Sequence, residues 1–421
     1  MAPAIIQLDS DRAAWLATPA LAKVFTALRA GGHEARIVGG AVRNVLSGRD
    51  VTDIDLATTA PPDDVLRLAR DAGLGAYPTG IDHGTVTVTA DGRAFEVTSL
   101  RRDVETDGRR AVVAFTRDWY EDSLRRDFTI NALYLDQLHH VYDFHGGLAD
   151  LENGRVRFIG DAHNRIREDY LRILRFFRFT AEYAPGLPDP EGLAACADLK
   201  SGIAQLSAER IGAEVLKILA TPRPSALCQV MEETGISKQI FGTPTTPALL
   251  AKLEAIETAQ SLKRDPLLRL GVLALDAGGN CRALADRLRL SNESARALQS
   301  AVHIDPAITA AGAPLREVRA ALYRLGNPAF DRTVIASWAR SDDKPDNPAR
   351  VAFLTLSANW IALKCPVSGA DILALGVPAG PRVGQILKAF ENWWIAEDFP
   401  LAQALNREKL AALVSASTQN S

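Results

Sequence analysis

Two aspartates one residue apart, Asp53 and Asp55, are the first residues in this chain whose types and spacing could do chemistry. Ile54–Ala57 has strand character, and side chains two apart on a strand project from the same face. Adjacent carboxylates repel each other, and a bound cation relieves that repulsion. A solvated strand face would carry the same pair, so a further signal is needed. Glu96 supplies one, mid-strand between Phe95 and Val97 in an apolar setting, although alone it also reads as an outward strand residue. An Asp, Asp and Glu set on adjacent strands can hold two Mg2+ ions. Such a pair activates an RNA 3′-OH and stabilises a leaving pyrophosphate. The expected catalytic residues are therefore Asp53, Asp55 and Glu96, with Asp53 and Asp55 as metal ligands.

Three further segments carry groups suited to a nucleotide. In Val38-Gly39-Gly40-Ala41-Val42-Arg43, two glycines at a strand-to-helix junction let the backbone approach a ligand, and the helix N-terminus favours phosphate. Arg43, one turn in, reaches the same phosphates, though a Gly-Gly pair by itself is ordinarily just a turn. In Arg125-Arg126-Asp127-Phe128-Thr129-Ile130-Asn131, charged groups beside a strand start make a sugar-phosphate site. A solvated charge run would not explain the embedded Phe and Thr-Ile-Asn. In Glu168-Asp169-Tyr170-Leu171-Arg172, helical spacing puts Asp169 and Arg172 on one face, with Glu168 four residues from Arg172 to orient its guanidinium. Asp is a fixed acceptor and Arg a fixed donor fork, so together they match the amine and ring nitrogen that cytosine and adenine share. A surface ion pair is the plainer reading of that spacing.

The elements that position these groups divide at about Gly160. Before it the pattern is α/β: a helix over Leu21–Ala30, strands over Ala35–Val38 and Ile54–Ala57, and a helix over Ala41–Leu46. Thr85–Thr89 and Ala94–Ser99 form a hairpin about Asp91-Gly92, and Ile130–Leu135 and Val141–Phe144 form a strand pair. After Gly160 amphipathic helices follow one another, among them Glu168–Tyr183, Ser207–Leu219, Pro247–Ala259, Asp265–Leu275 and Leu315–Leu325. In the Glu168–Tyr183 helix, Ile173, Leu174, Phe176, Phe177 and Phe179 read as core, and Arg175 and Arg178 as facing solvent, RNA or the head. Ser207 reads as an N-cap for a structural helix.

At 421 residues the chain exceeds one compact core, and 47% hydrophobic with 24% charged residues describes a globular protein. The net charge of −3 does not exclude a nucleic acid, because seven arginines gather between Arg155 and Thr180 against Asp161, Glu168 and Asp169. Cys196, Cys228, Cys281 and Cys365 form no CxxC pair, so neither a zinc knuckle nor a redox motif is available. After His163 only His303 remains, which argues against an appended metal phosphohydrolase module. The N-terminus lacks the basic and apolar regions of a secretory signal, and no run approaches a membrane span, so a cytoplasmic protein with no membrane partner is expected.

The ordered segments GGAVRN, DIDLAT, FEVTSLR, RRDFTINAL, DFHGGLADL, RFIGD and REDYLRILRFFRF resemble the class II tRNA nucleotidyltransferase and bacterial poly(A) polymerase family, within the DNA polymerase β-like superfamily. The resemblance spans Ile37 to Leu219, about half of the chain. It implies an α/β head with a mixed sheet of the polymerase β-like fold, followed by an all-α neck, body and tail. The expected divisions are a head at 1–147, a neck at 148–222, a body at 223–330 and a tail at 331–421. It implies that Gly39, Gly40 and Arg43 hold the triphosphate and that Asp53 and Asp55 ligate the metals, with Glu96 supporting. Arg125, Arg126 and Asn131 would contact phosphates and Asp127 the ribose hydroxyls. Asp169 and Arg172 would read the base, Glu168 would orient Arg172, and Arg175 joins the nucleotide-binding set. Asp143–Leu148 resembles the hinge between head and neck.

The implied activity is template-independent addition of C, C and A to a tRNA 3′ end from CTP and ATP, with Mg2+ and tRNA as cofactor and partner. Poly(A) tailing competes with it. The segment Ala76–Val88 lacks the basic Gly-Arg-Arg-Phe-Arg type stretch of those polymerases, and the last residues are nearly neutral. Partial CC or A addition also competes, and the charged Arg101–Arg110 segment matches the flexible loop used for A addition. A non-catalytic RNA-binding relative would lose a carboxylate or the base-reading pair, and none is lost. Transfer to a small molecule leaves the RRDFTIN and EDYLR segments and the long helical body unexplained.

Overall fold

Alternation in Thr85–Ala90 puts Val86, Val88 and Ala90 in the core and the threonines between them outward. Asp91 (φ 48°) and Gly92 (φ 75°) both take the positive φ of a tight two-residue turn, so the hairpin forms as the sequence predicts. The computed structural model describes residues 2–107, 110–184, 186–276, 278–309 and 312–419.

The strands are β1 (Ala4–Gln7), β2 (Ala35–Val38), β3 (Asp55–Thr58), β4 (Gly75–Gly80), β5 (Thr85–Ala90), β6 (Arg93–Ser99), β7 (Arg101–Asp107), β8 (Arg110–Phe115), β9 (Leu133–Leu135) and β10 (His140–Asp143). Eight form one mixed sheet in the order β1-β10-β9-β2-β3-β6-β5-β4, with β3 and β6 parallel and the other neighbours antiparallel. The strands β7 and β8 pair with each other, so the described part of the segment expected as a flexible loop is strand, and its residues 108–109 lie outside the described residues. Period-two alternation sorts the sheet into two faces. Ile37, Leu56, Val97 and Leu133 pack against the helices Pro19–Ala30, Gly40–Leu46 and Pro62–Asp71. Val38, Ala57 and Tyr134 face the other way, with Leu100 and Trp119.

Three expectations need correction. The strand containing the aspartates begins at Asp55, leaving Asp53 in the approach to it and not on a shared strand face. The strand expected from Ile130 begins at Leu133, because Thr129–Asn131 closes a 3-10 turn. The single helix expected over Glu168–Tyr183 is two helices, Ala162–Glu168 and Leu171–Tyr183, separated at Asp169 (φ −155°, ψ 106°).

The chain divides into two units, Met1–Gly242 and Thr243–Ser421, so the expected head and neck share the first. The second unit is helical throughout its described residues, and its Pro247–Ala259 and Leu315–Leu325 helices have the bounds read from the sequence. The boundary expected at residue 330 falls inside the Asn327–Ala339 helix, where Phe330 and Val334 share a core with Ile308, Leu322 and Phe353.

Candidate active site

Register fixes the first part of the site. Asp55 lies opposite Val38 at the end of β2 and beside Glu96 on β6, so two carboxylates from adjacent strands stand side by side. Burial raises the Asp55 carboxyl above its ordinary range, and the negative charges of Glu96 and Asp53 raise it further against Arg126. Among the described residues no lysine or arginine forms a salt bridge with Asp53, Asp55 or Glu96. Nor do three or more His, Cys, Asp or Glu side chains close around a metal unaided. This donor set suits a hard cation that takes one or two carboxylates and completes its shell from water and phosphates.

The chain leaves β2 through Gly39, whose φ of 69° and ψ of −118° no side-chain-bearing residue adopts easily. A Cβ there would meet nothing within 4 Å, so backbone conformation, not crowding, requires the glycine. Arg43, on the Gly40–Leu46 helix, is 8% exposed, donates to the Asn131 side chain and sits 4.4 Å from the Tyr183 ring centre. Its Nε is buried without a partner among the described residues, a donor in hand for an anion.

A second line of polar contacts runs from Asn131. Its amide donates to Asp127 Oδ1 at 2.8 Å, which also accepts the Phe128 N–H at 2.9 Å, while Asp127 Oδ2 takes Arg175 Nε at 2.7 Å. Burial alone would raise the Asp127 carboxyl, but Arg175 and Asn131 outweigh it and hold it at about 2. Asp127 thus joins Arg43, through Asn131, to Arg175. Arg175 is paired to the head and does not lie loose on the surface, and Arg178 pairs with Glu214 at 3.3 Å.

Arg125 and Arg126 are held from behind by Asp122, which has no exposed surface and which the sequence reading missed. Its Oδ1 accepts Arg125 Nε at 2.9 Å, and its Oδ2 accepts Arg126 Nη2 at 3.1 Å and the Tyr134 hydroxyl at 2.8 Å. These partners overcome the effect of burial and keep the Asp122 carboxyl at about 2. Helical spacing from Asp122 to Arg125 and Arg126 was the available signal.

Asp169 and Arg172 do not stand one above the other on a helix. Asp169 Oδ2 accepts Arg210 Nη2 at 2.6 Å, and its Oδ1 accepts the Leu171 N–H at 3.1 Å. Arg172 donates to Glu168, as expected, and to the Arg165 carbonyl at 2.7 Å. Arg165, also missed, places Nη2 at 2.6 Å from the carbonyls of both Arg125 and Arg126. Arg210 lies in the helix that the sequence marks only as structural. Ser207 does precede that helix, but its side chain makes no capping bond.

One cleft of about 450 Å3 collects Gly39, Gly40, Arg43, Asp55, Arg125, Arg126, Asp127, Asn131, Asp169, Arg172 and Arg175, with Phe179 and Arg210. Phe176 and Phe177 are fully buried as expected, whereas Phe179 also reaches the cleft wall. Asp53 and Glu96 line an adjoining hollow of about 700 Å3, and Asp55 is common to both. Glu168 lies behind Arg172, outside the lining. Apart from Glu168, the sequence-predicted residues are therefore gathered in two hollows that share Asp55.

The poly A polymerase head domain model matches residues 35–157, and the model described as a probable RNA and SrmB-binding site of polymerase A matches 188–250. The chain is 34% identical over 374 residues to CCA tRNA nucleotidyltransferase 1, mitochondrial, of Danio rerio, covering 86% of this chain and 83% of that one. It is 30% identical to the CCA-adding enzyme of Lactobacillus johnsonii, covering 88% and 93%. The solved Bacillus stearothermophilus CCA-adding enzyme in complex with CTP superposes with a TM-score of 0.74 at 26% identity, covering 94% of this chain and 96% of that one.

Proposed function

The chain belongs to the CCA-adding tRNA nucleotidyltransferase family, and from that premise we propose that it adds C, C and A in turn to tRNA 3′ ends from CTP and ATP, releasing pyrophosphate. The observation that carries this reading is one cleft whose lining holds a glycine–arginine cradle, a metal-type carboxylate and an Asp–Arg pair. The triphosphate lies against Gly39, Gly40, Arg43, Arg125 and Arg126, where the cationic groups converge. The base edge meets Asp169 as acceptor and Arg172 as donor, a pattern that cytosine and adenine satisfy and uracil and guanine do not. Asp127, its oxygens already taken by Asn131, Phe128 and Arg175, acts by holding those donors in place, with the ribose hydroxyls within its remaining acceptor capacity.

Asp53 and Asp55 would hold Mg2+, with Glu96 keeping negative charge beside Asp55. Bound there, two such ions would supply activation of the RNA 3′-hydroxyl and neutralisation of the leaving pyrophosphate. Asp55, shared by the two hollows, puts that chemistry where the nucleotide cleft meets the hollow open to the RNA end. The head lies in the first unit, and the stretch matched as an RNA-binding site, residues 188–250, begins there and runs into the helical second unit. Among the described residues no helix is long and apolar enough to cross a membrane. The four cysteines form no disulfide among the described residues, which suits a reducing cytoplasm.

Product analysis tests the reading. With tRNA ending before the CCA sequence, CTP alone should give two additions, and CTP with ATP should give three and stop. Long A tails, a halt after CC in the presence of ATP, or no incorporation with Mg2+ would overturn it.

A further inference from the structure

The nucleotide reading leaves unused a part-buried polar contact between the Asp143–Leu148 turn and the short helix Trp119–Leu124. Ser123 has no exposed surface, and its Oγ donates to the Tyr120 carbonyl at 2.6 Å. A hydroxyl has one hydrogen, so toward His145 Nε2, 2.8 Å away, the same Oγ accepts. The His145 ring therefore donates from Nε2, in the neutral and the cationic form alike. The ring also stacks on Tyr120, with centroids 5.7 Å apart. Its backbone is fixed as well: the amide donates to Asp143 Oδ1 and the carbonyl accepts Arg157 Nη2, each at 3.0 Å.

On the same helix, the residue before Ser123 is Asp122, which anchors both Arg125 and Arg126. On the other side, His145 runs into Gly146 (φ 77°), and a Cβ on Gly147 would lie 2.3 Å from the Thr129 carbonyl oxygen. The turn is thus pressed against the backbone next to the nucleotide site. We propose that His145 is a positioning residue for Arg125 and Arg126, acting through Ser123 and the neighbouring Asp122. The proposal rests on the reading of those arginines as triphosphate ligands. Its content is that the setting of the turn between head and neck is transmitted to the two guanidinium groups through a link between the half-buried His145 and the buried Ser123.

The test uses the full chain with tRNA lacking CCA. His145→Phe keeps a ring against Tyr120 but removes the donor, and Ser123→Ala removes the acceptor. Loss of one such hydrogen bond corresponds to a roughly 2–10-fold change in an equilibrium. Each variant should raise KM for CTP and ATP by about that factor while kcat stays within about twofold. Because both remove the same link, the double variant should be no worse than the weaker single one. His145→Gln, which returns an N–H donor, should recover part of the loss. Unchanged KM, with or without a lower Tm, or effects that multiply in the double variant, would overturn the proposal. Calorimetric CTP affinity makes the same comparison without turnover, so a wild-type chain that fails to add nucleotides would count against the function and not against this link.

Discussion

Asp169 is held by Arg210, 41 residues further along the chain, with Arg210 Nη2 2.6 Å from Asp169 Oδ2, and not by Arg172 three residues away. Arg172 is clamped separately, by Glu168 and the Arg165 carbonyl. Asp169 and Arg172, the pair proposed to read the base, therefore have independent supports.

Arg210→Met removes the support of Asp169 while keeping much of the side-chain bulk. A charge-assisted hydrogen bond of this kind contributes about 1.5–3 kcal/mol. The expected result is a rise of roughly tenfold or more in UTP incorporation relative to CTP, with nucleotide addition itself retained. Competition assays with paired nucleotides measure it, and unchanged discrimination would show that Asp169 needs no such support.

Asp55→Asn should lower kcat by a factor on the order of a thousand or more, as removing a metal-held transition-state charge does. CTP affinity, measured calorimetrically without catalysis, should change far less, because Arg43, Arg125 and Arg126 remain. An equal loss in affinity would make Asp55 a nucleotide ligand first.

Incorporation should fall on mild acidification. Burial, Glu96 and Asp53 raise the Asp55 carboxyl, so it takes up a proton above the ordinary carboxylate range, and a protonated carboxyl is a poor cation ligand. Glu96→Gln removes one of the raising charges and should move the acid limb of the kcat profile to lower pH. An acid limb unmoved by Glu96→Gln would assign it to another group.

Stability should fall in a different window. Asp122 and Asp127 have folded-state values of about 2 against an ordinary 3.8, so their contributions are present above about pH 4 and lost as pH falls toward 2. Each difference corresponds to about 2 kcal/mol. Asp122→Asn should unfold more readily at neutral pH, yet lose less stability than wild type between pH 4 and 2, by denaturant titration at each pH.

Gly39→Ala should destabilise the chain by about 1–3 kcal/mol, since an Ala at φ 69° and ψ −118° is strained although space is open around it. Thermal unfolding reads this directly. A larger loss of nucleotide affinity than of stability would mean that the turn has shifted away from the triphosphate.

Residue types and their order determined the reaction class. The placing of Asp55 beside Glu96, the Gly39-Gly40-Arg43 turn and the Arg125–Asn131 segment were legible because short-range spacing is a local property of the chain, whereas the strand face expected for Asp53 was not formed. The Asp91-Gly92 hairpin and the Leu315–Leu325 helix were legible for the same reason. The tertiary structure decided which partner each charge takes. The Ala162–Glu168 helix ends and a new one starts around Asp169, the residue that pairs with Arg210, and no periodicity in the segment records a contact 41 residues distant. Asp122 and Arg165 read as ordinary helix-surface charges until the fold buries them, and burial makes each one a fixed support for the arginines beside it. Desolvation and long-range pairing depend on which surfaces meet, so only the folded chain could assign them.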